Sequence, residues 1–596
     1  MSDTENLLFE IGVEELPASY VERALIVLPD LFEERLRQAR LSHTGIRALG
    51  TPRRLAVQVY DLALRQPDLS ERVQGPPVQV ALDKEGKPTK AALAFARKIG
   101  CEVDDLERVD SGKGVYLMGT RQEEGKPTIE LLPRILEEIC AAIPFRKSMR
   151  WANGDIAFGR PVRWILALLG GQVVDMSFAG VRSGRETMGH RFLAPEPIDL
   201  PDPQDYVELL RDAHVIVDPF ERRDVMMSQL REACEEAGTV LVEDEFLERE
   251  NVNLVEEPQV ITGSFDEAFL ALPEDVILAV AKGHQRYFCA RREDGELAPM
   301  YLAVAGTALK PDMVRRGNDR VMRARLSDAR FFFEEDMKVR LDSRFERLGG
   351  IVFQKRLGSV RDKVERMERL VVRLGRSLGL SEDRIETAQR GAHLCKCDLA
   401  SLMVGEFPEL QGEMGAVYAL GQGETEAVAR VISKHYQPKG ASDATADDDP
   451  AALVALADRF DTLVGCFSVG LSPTGAADPF ALRRACLGVL RTALDRGFAL
   501  SIREAIEVAY EGVEGLEVDL PMGEVVSKLL EFFRERLRGL LVEHHPHDVV
   551  DACLASGFDN PVDVRARVVA LAGLEPSVRT RAGEVFKRAT NIAKEA

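Results

Sequence analysis

The sequence predicts a multidomain α+β protein in which α/β domains come first and helical domains follow. Its 596 residues are too many for a single hydrophobic core, and the usual size of domains suggests about four of them. Short apolar runs typical of strands alternate with helical patterns as far as about residue 305. From about residue 340 onward, apolar residues recur only at helical spacing. This change in spacing separates the two parts of the chain.

The first predicted domain is an α/β segment, residues 1–70. LLFEIGVEELP begins as an apolar strand, a helical pattern follows it, and TPRRLAVQVYDL alternates as a second strand. Arg53 and Arg54 have two interpretations. They contact a nucleic acid, or they pair with the carboxylates of Glu14 and Glu15.

Two further regions are predicted to contain strands. Residues 71–145 have the pattern of a small inserted α/β subdomain, with a proline-rich start, a DKEGKP turn and a short basic helix. Residues 146–325 form a predicted α+β body in which Trp164 lies in the core. For His190 the two roles are a phosphate contact and a hydrogen-bonded structural histidine, and we favour the structural role.

Residues 326–500 are predicted to form a helical domain that begins with a basic helix. Within it, His393, Asp398 and Asp458 have the general layout of HD-type metal phosphohydrolases, in which His and Asp side chains hold a divalent ion that activates water. The residue before Asp398 is Cys397 rather than His. We therefore expect a degenerate centre without a metal, and a metal-dependent HD-type phosphohydrolase is the alternative.

Residues 501–596 continue the helical spacing and form the last predicted region. The HHPHD string at 544–548 contains residue types that bind zinc. Its ligand spacing is irregular and a proline interrupts it, so we expect an exposed turn rather than a metal site.

Composition excludes several classes of protein. Apolar residues make up 45% of the chain and charged residues 30%, as in ordinary globular proteins. No apolar run approaches the roughly 18 residues that span a bilayer, and the N-terminus lacks a signal-peptide pattern. The nine cysteines are scattered and form no CxxC pair. We therefore expect a cytoplasmic protein that does not enter a membrane.

The charge is distributed unevenly. A net charge of −20 argues against indiscriminate nucleic-acid binding, because most of the surface repels phosphates. The window Lys310–Lys363, however, carries fifteen Lys and Arg against nine Asp and Glu, which leaves about −26 for the remainder. The window indicates either a cationic track for one selected RNA or an ion-paired helix face.

Longer strings along the chain carry a resemblance to one family. They are EIGVEELP, TPRRLA, MRW, GHRFLAP, KCDL, MVGEFPELQGEMGAVYA, HYQP, ADRFDTLVG, DPFALRRACLGVLR and KRATNIAKEA. Together they resemble the β subunit of bacterial heterotetrameric glycyl-tRNA synthetase over nearly the whole chain. The resemblance implies an HD-like domain that has lost its metal ligands, and a helical anticodon-binding domain that begins in residues 501–596. Family members continue well beyond Ala596, so we expect that domain to be incomplete.

The resemblance also implies a function. In the family, two α and two β chains form glycine–tRNA ligase, and the α subunit carries the class II catalytic core on which ATP and Mg²⁺ act. The β subunit holds and positions tRNA(Gly). The sequence contains no GxxxxGK[ST] phosphate loop, no HIGH/KMSKS-like pair and no recognisable class II nucleotide site. We therefore expect no catalytic residue and no cofactor on this chain. An RNA-binding scaffold that works without a catalytic partner is a further alternative.

Basic residues in three places are the candidates for tRNA contact. Arginine suits this role because its planar guanidinium bridges phosphate oxygens and stacks on exposed bases. The candidates are Arg315, Arg316, Arg320, Arg323, Arg325 and Arg330 in the basic window, Arg483 and Arg484 in DPFALRRACLGVLR, and Lys587 and Arg588 in KRATNIAKEA.

Overall fold

The computed structural model describes residues 3–575 except 84, 111, 113, 152, 153, 308, 441 and 476, together with 577, 578, 581 and 583. The chain forms two compact units. The first comprises the residues up to Asp266 and Ala281–Met322, and the second comprises Glu267–Val280 and the residues from Arg323 onward. Strands dominate the first unit and helices the second, so the predicted α+β class is confirmed.

The elements of the first half of the chain alternate between strands and helices. In chain order they are β1 Thr4–Val13, α1 Ala18–Gln38, β2 Gly45–Thr51, β3 Arg54–Ala63, β4 Leu69–Pro77, α2 Val78–Ala81, α3 Lys90–Ile99, β5 Glu107–Asp110, β6 Val115–Glu123, α4 Thr128–Ala142, β7 Val162–Leu169, β8 Gln172–Val173, β9 Ser177–Phe178, β10 Val181–Gly184, β11 Glu186–Met188, β12 Pro197–Asp199, α5 Tyr206–Asp212, α6 Pro219–Glu236, β13 Val240–Leu241, α7 Glu245–Val252, β14 Gln259–Ser264, α8 Glu274–Val280, β15 Phe288–Arg291 and β16 Leu297–Ala305.

The second half is helical apart from one short hairpin among its described residues. Its elements are α9 Pro311–Met337, β17 Val352–Gln354, β18 Gly358–Ser359, α10 Val360–Ser377, α11 Glu382–Leu394, α12 Leu402–Glu406, α13 Glu413–Gly421, α14 Glu426–Lys434, α15 Asp449–Ser468, α16 Leu482–Arg496, α17 Ile502–Glu511, α18 Met522–Val542, α19 His547–Ala555 and α20 Pro561–Ala572.

Strand β1 lies at the centre of the largest sheet, whose strand order is β2-β3-β1-β7-β10-β9 with β8 beside β7. It is antiparallel to β3 and β7, and Phe9 lies opposite Val57 on one side and Ala167 on the other. Leu7 and Phe9 pack with α1 and α4 on one face, while Leu8 packs with α5 on the opposite face. Burial of both faces explains why the strand is a nearly continuous apolar run.

This sheet joins strands from two of the predicted domains. Strands β1 to β3 belong to residues 1–70, and β7 to β10 belong to residues 146–325. Residues 69–123 leave the sheet and form a separate three-stranded sheet, β4-β6-β5, with α3 packed on it, and α4 then packs on the large sheet. The predicted division into five parts stays a prediction.

A four-stranded sheet, β13-β15-β16-β14, completes the first unit together with α6. Tyr287 and Phe288 are buried beside and within β15. Both lie in the core of the β15–β16 hairpin.

Helix α15 forms the core of the second unit, and 16 of its 20 residues are buried. It packs against α10, α11, α16, α17 and α18. The helix begins where the Asp448 side chain accepts a hydrogen bond of 2.9 Å from the Ala451 N–H. A helix buried on every side carries its charged residues into the interior, and these residues must find partners there.

Among the helices that the structure describes, none is long and apolar enough to span a membrane.

Candidate functional site

The three HD-type positions lie in the second unit, on α15 and on segments near it. His393 lies in the last turn of α11, Asp398 in a short 3₁₀ turn after it, and Asp458 in α15. Among the described residues, no three or more His, Cys, Asp or Glu side chains are arranged to hold a metal ion. Each of the three positions has other partners.

His393 is held by two carboxylates of the surrounding helices. Its Nδ1 lies 2.7 Å from Glu368 Oε1 and its Nε2 lies 3.1 Å from Asp342 Oδ1. The hydrogen bond to Glu368 raises the pKa of His393 above its ordinary value. The ring also stacks on Phe345, with 4.3 Å between the ring centroids. Neither Asp398 nor Asp458 is among these partners.

Asp398 is fully buried and fixes the start of the next helix. Its Oδ2 accepts hydrogen bonds from the backbone N–H groups of Gly412, at 2.6 Å, and Gly415, at 3.1 Å. These two groups belong to the first turn of α13, whose exposed N–H groups favour a carboxylate. The other oxygen, Oδ1, has no hydrogen-bond partner among the described residues. Burial raises the pKa of Asp398 to about 6 although the two hydrogen bonds oppose the shift.

This shift predicts how stability depends on pH. The raised pKa means that the folded chain binds the proton of Asp398 more tightly than the unfolded chain. The stability that the protonated form contributes is therefore present below about pH 4 and is lost as the pH rises through about 6. Asp398→Asn removes this loss. We expect the free energy of unfolding of the variant, relative to the parent, to increase by about 1–2 kcal/mol between pH 5 and pH 7.5 in urea titrations. If the difference in unfolding free energy between the variant and the parent is the same at both pH values, the raised pKa of Asp398 is contradicted.

Asp458 and Asp461 are held by cationic side chains of α10 and of the turn after α11. Lys363 Nζ lies 2.8 Å from Asp458 Oδ1 and 3.2 Å from Asp461 Oδ2. Lys396 Nζ lies 3.2 Å from Asp458 Oδ2, and Arg366 Nε lies 2.5 Å from Asp461 Oδ1. Burial alone would raise the pKa of Asp458, but the two ammonium groups hold it below its ordinary range.

The side chains at this centre do not fit a divalent metal ion. Two ammonium groups already neutralise Asp458, and a metal would have to displace them. Cys397 is buried, its Sγ lies 3.5 Å from the carbonyl oxygen of His393, and burial raises the pKa of its thiol. A protonated thiol is a poor metal ligand. The sequence analysis missed Lys363 and Lys396, although Lys396 stands directly before Cys397 in the KCDL string.

The six candidate arginines of the basic window lie on helix α9, and four of them form a stripe along it. The spacings of four, three and seven residues place the four on one face of an α-helix over roughly 21 Å. All four are exposed. The stripe comprises Arg316, Arg320, Arg323 and Arg330.

No carboxylate within the described part of the chain pairs with the stripe. Arg316 donates to the backbone carbonyl of Asp312 at 3.1 Å. Arg330 lies over the ring of Phe269, with its Cζ 4.9 Å from the centroid. The guanidinium groups of Arg320 and Arg323 contact no other described side chain. The positive charge of this face is therefore not cancelled locally.

The other two candidate arginines on α9 have acidic partners and lie off the stripe. Arg315 pairs with Asp312 at 3.2 Å and with Asp319 at 3.7 Å. Arg325 lies 3.4 Å from Glu406. Arg315 and Arg325 therefore fit the predicted ion-paired helix face, and the four arginines of the stripe fit the predicted cationic track.

The remaining candidates are in different surroundings. Arg483 and Arg484 are neighbours in α16 but do not project together, because Arg483 donates to the Gly475 carbonyl at 2.7 Å whereas Arg484 is exposed and lines a cavity. Lys587 and Arg588 lie outside the described residues.

Arg53 and Arg54 pair with neither Glu14 nor Glu15, so that interpretation was wrong. Both bind Glu256, Arg53 at 3.1 Å and Arg54 at 3.0 Å. Burial alone would raise the pKa of Glu256, but the two guanidinium groups lower it. The pairing is invisible in the sequence because Glu256 lies 202 residues after Arg54.

The carboxylates of the EELP string have a different partner. Arg191 of the GHRFLAP string lies 2.9 Å from Glu14 and 3.3 Å from Glu15. Its neighbour His190 is buried, and His190 Nδ1 accepts hydrogen bonds from the backbone N–H groups at 192 and 193. The structural role that we favoured for His190 is confirmed.

A buried network also explains the EIG string. The carboxylate of Glu10 accepts hydrogen bonds from Trp164 Nε1, the Tyr206 hydroxyl and Thr187 Oγ1. Trp164 is 9% exposed, and its predicted place in the core is confirmed. Several strings shared with the family therefore meet inside the first unit and stabilise its fold.

The fold and these sites define a multidomain α+β protein with a helical half in which lysines bind the Asp458 of the His–Asp layout, and with a cationic stripe on an acidic chain. The family model described as glycyl-tRNA synthetase beta subunit matches residues 7–555. The chain therefore belongs to the glycyl-tRNA synthetase β-subunit family. The predicted role in glycyl-tRNA synthesis, as part of a ligase, is confirmed.

Similar proteins cover nearly all of the chain. A protein of Myxococcus xanthus, named glycine–tRNA ligase beta subunit, is 44% identical over 99% of this chain and 84% of its own length. Proteins of the same name from Trichlorobacter lovleyi and Syntrophotalea carbinolica are 44% and 43% identical, each over 99% of this chain and 86% of its own length.

Proposed function

We propose that this chain binds tRNA(Gly) and positions it for aminoacylation by a separate class II catalytic α subunit, in an assembly of two α and two β chains. The name of its relatives, beta subunit of glycine–tRNA ligase, supports a partner α subunit. The sequence carries no recognisable nucleotide-binding motif. In this proposal ATP and Mg²⁺ bind to the α subunit, this chain holds no cofactor, and the assembly works in the cytoplasm.

The observation that carries the proposal is the arginine stripe on α9. The chain has a net charge of −20, so an RNA needs a local region of positive potential to approach it. The stripe supplies four exposed guanidinium groups with no carboxylate partner among the described residues. Guanidinium groups spaced along a helix can contact successive phosphates, and each contact releases bound counterions.

The triple variant Arg316→Gln, Arg320→Gln and Arg323→Gln tests the stripe. We expect tRNA(Gly) affinity at moderate salt to fall by about tenfold or more, because three phosphate contacts are lost. The slope of log affinity against log salt concentration should become shallower by about two to three. Fluorescence anisotropy with labelled tRNA(Gly) over a range of KCl concentrations measures both quantities.

The matched control uses the two arginines that are off the stripe. Arg315→Gln with Arg325→Gln removes two positive charges from the same helix, yet both side chains already pair with carboxylates. We expect this double variant to bind tRNA nearly as the parent does. If the triple variant keeps the parent's salt slope, the stripe does not contact the RNA.

The geometry disfavours the alternative of a metal-dependent HD-type phosphohydrolase. Lys363 and Lys396 bind the carboxylate of Asp458, where that activity would need a divalent ion. An RNA-binding scaffold without a catalytic partner is separated from the proposal by copurification, since only a ligase subunit is recovered with an α chain.

A further inference from the structure

Two cavities in the second unit join into one groove. Their volumes are about 880 and 640 Å³. Both are lined by Pro438, Lys439 and Arg484. We refer to the two together as the 438–484 groove. Helices α16 and α18 form the larger part, and the end of α14, α15 and the start of α16 form the smaller part.

Cationic side chains line this groove, and several are not neutralised by carboxylates. Lys439 and Arg484 are exposed and form no hydrogen bond or ion pair with another described residue. Arg565 donates to the Leu494 carbonyl at 2.9 Å. Arg536 donates to the Phe532 carbonyl at 2.6 Å and also pairs with Glu535 at 3.5 Å. A carbonyl orients a guanidinium without cancelling its charge, so Lys439, Arg484 and Arg565 keep their positive charges in the groove.

Apolar surface lies between these cations. Phe480 lines the smaller part of the groove and is half-buried, so part of its ring faces the groove. Leu487, Leu540 and Leu541 line the larger part. Flat aromatic and aliphatic surface beside spaced cations is the combination with which proteins hold unpaired bases and their phosphates.

The wall that the two parts share is held rigidly. Arg459 extends from α15 and donates to the carbonyl oxygens of Tyr436, at 2.9 Å, and Pro438, at 3.0 Å. The same guanidinium donates to the Ala455 carbonyl at 2.8 Å. The segment that carries Lys439 is thus fixed to the core helix, and little conformational entropy is lost when a ligand contacts it.

We propose that the 438–484 groove binds an unpaired segment of RNA. This inference rests on the proposed function, and it assigns Arg484 and Lys439 to a surface apart from the stripe on α9. An A-form duplex is too wide to enter a groove of this volume, whereas an unpaired strand can place its phosphates on the cations and its bases on the apolar surface. Asp495, Glu535 and Glu543 line the larger part of the groove, and Glu409 and Asp458 line the smaller part. These carboxylates disfavour a compact polyphosphate and are tolerated by a strand whose phosphates are spaced apart.

Two independent variants test the groove. Lys439→Gln with Arg484→Gln removes two cations without breaking a contact that the structure describes. Gly539→Leu fills the groove, because a Cβ at Gly539 meets no atom within 4 Å and the position lines the larger part. Leucine is also a better helix former than glycine, so α18 should persist. We expect each variant to lower the affinity for a labelled unpaired oligoribonucleotide by about fivefold or more.

Controls separate this inference from the proposed function. Gly523→Leu adds the same side chain at an equally open position of α18 that does not line the groove, and it should bind the oligoribonucleotide as the parent does. A blunt-ended RNA duplex should bind all groove variants as it binds the parent, while the stripe variant should bind the duplex more weakly than the parent does.

Two results would overturn the inference. Unchanged oligoribonucleotide affinity in both groove variants overturns it, whatever the stripe variant does. Displacement of the oligoribonucleotide by ATP at a similar concentration also overturns it, in favour of a site for a small anion.

Discussion

Lys363→Met is expected to lower the free energy of unfolding by about 2–4 kcal/mol, because the change removes one of the two cations that bind each of Asp458 and Asp461. Lys363 is only 4% exposed. Its ammonium group contacts the carboxylates of Asp458 and Asp461 and the hydroxyl of Thr462, at 2.8, 3.2 and 2.7 Å. Methionine fills a similar volume but supplies no charge. Urea denaturation at pH 7 measures the difference.

Lys528→Met is the matched control for this experiment. Lys528 is exposed on α18 and pairs with no carboxylate among the described residues, so its replacement should change stability by less than about 0.5 kcal/mol. Adding Mn²⁺ should not restore the stability of Lys363→Met. If the ion restored it, Asp458 and Asp461 would still form a metal site and our view of the centre would be wrong.

The second large effect concerns catalysis. The purified chain alone is expected to show no glycine-dependent exchange of pyrophosphate into ATP. The reason is that its sequence lacks a recognisable site for ATP, and the proposed function assigns adenylate formation to the α subunit. Radiolabelled pyrophosphate with this chain, with the α chain and with both together measures the activity of each.

The reconstituted mixture is the positive control for this assay. It should exchange pyrophosphate and charge tRNA(Gly), and the stripe variant should lower charging while leaving exchange intact. Exchange by this chain free of α subunit would show that the catalytic site has been misplaced.

The local elements of the fold were predictable from the sequence. The LLFEIGV run indicated β1, and the structure places a strand at Thr4–Val13. The apolar spacing after residue 340 indicated helices, and helices α10 to α20 follow. These patterns are visible because a helix or strand that buries one face carries apolar residues at its own period along the sequence. The arrangement of the strands was not visible, since β1 pairs with β7 across the whole inserted subdomain.

The candidate sites were predictable only in part, because charge partners come from distant segments. The six candidate arginines of the basic window look alike in the sequence, yet Arg325 is paired with Glu406, 81 residues away. The HD-type layout was readable from His393, Asp398 and Asp458. The lysine that pairs with Asp458 was not predictable, because Lys363 lies 95 residues before Asp458. A sequence shows which side chains carry charge but not which opposite charge the fold brings to them.

Glu10 forms hydrogen bonds with residues that the ribosome synthesises much later. Its partners Trp164, Thr187 and Tyr206 follow it by 154, 177 and 196 residues. At roughly 5–20 residues per second, Tyr206 is made about 10–40 s after Glu10. During that time β1 can pair with β3, while its other edge waits for β7 and the separate β4-β6-β5 sheet can form with α3. The nascent chain thus exposes an apolar strand edge for many seconds, and such edges are where chaperones bind and aggregation begins.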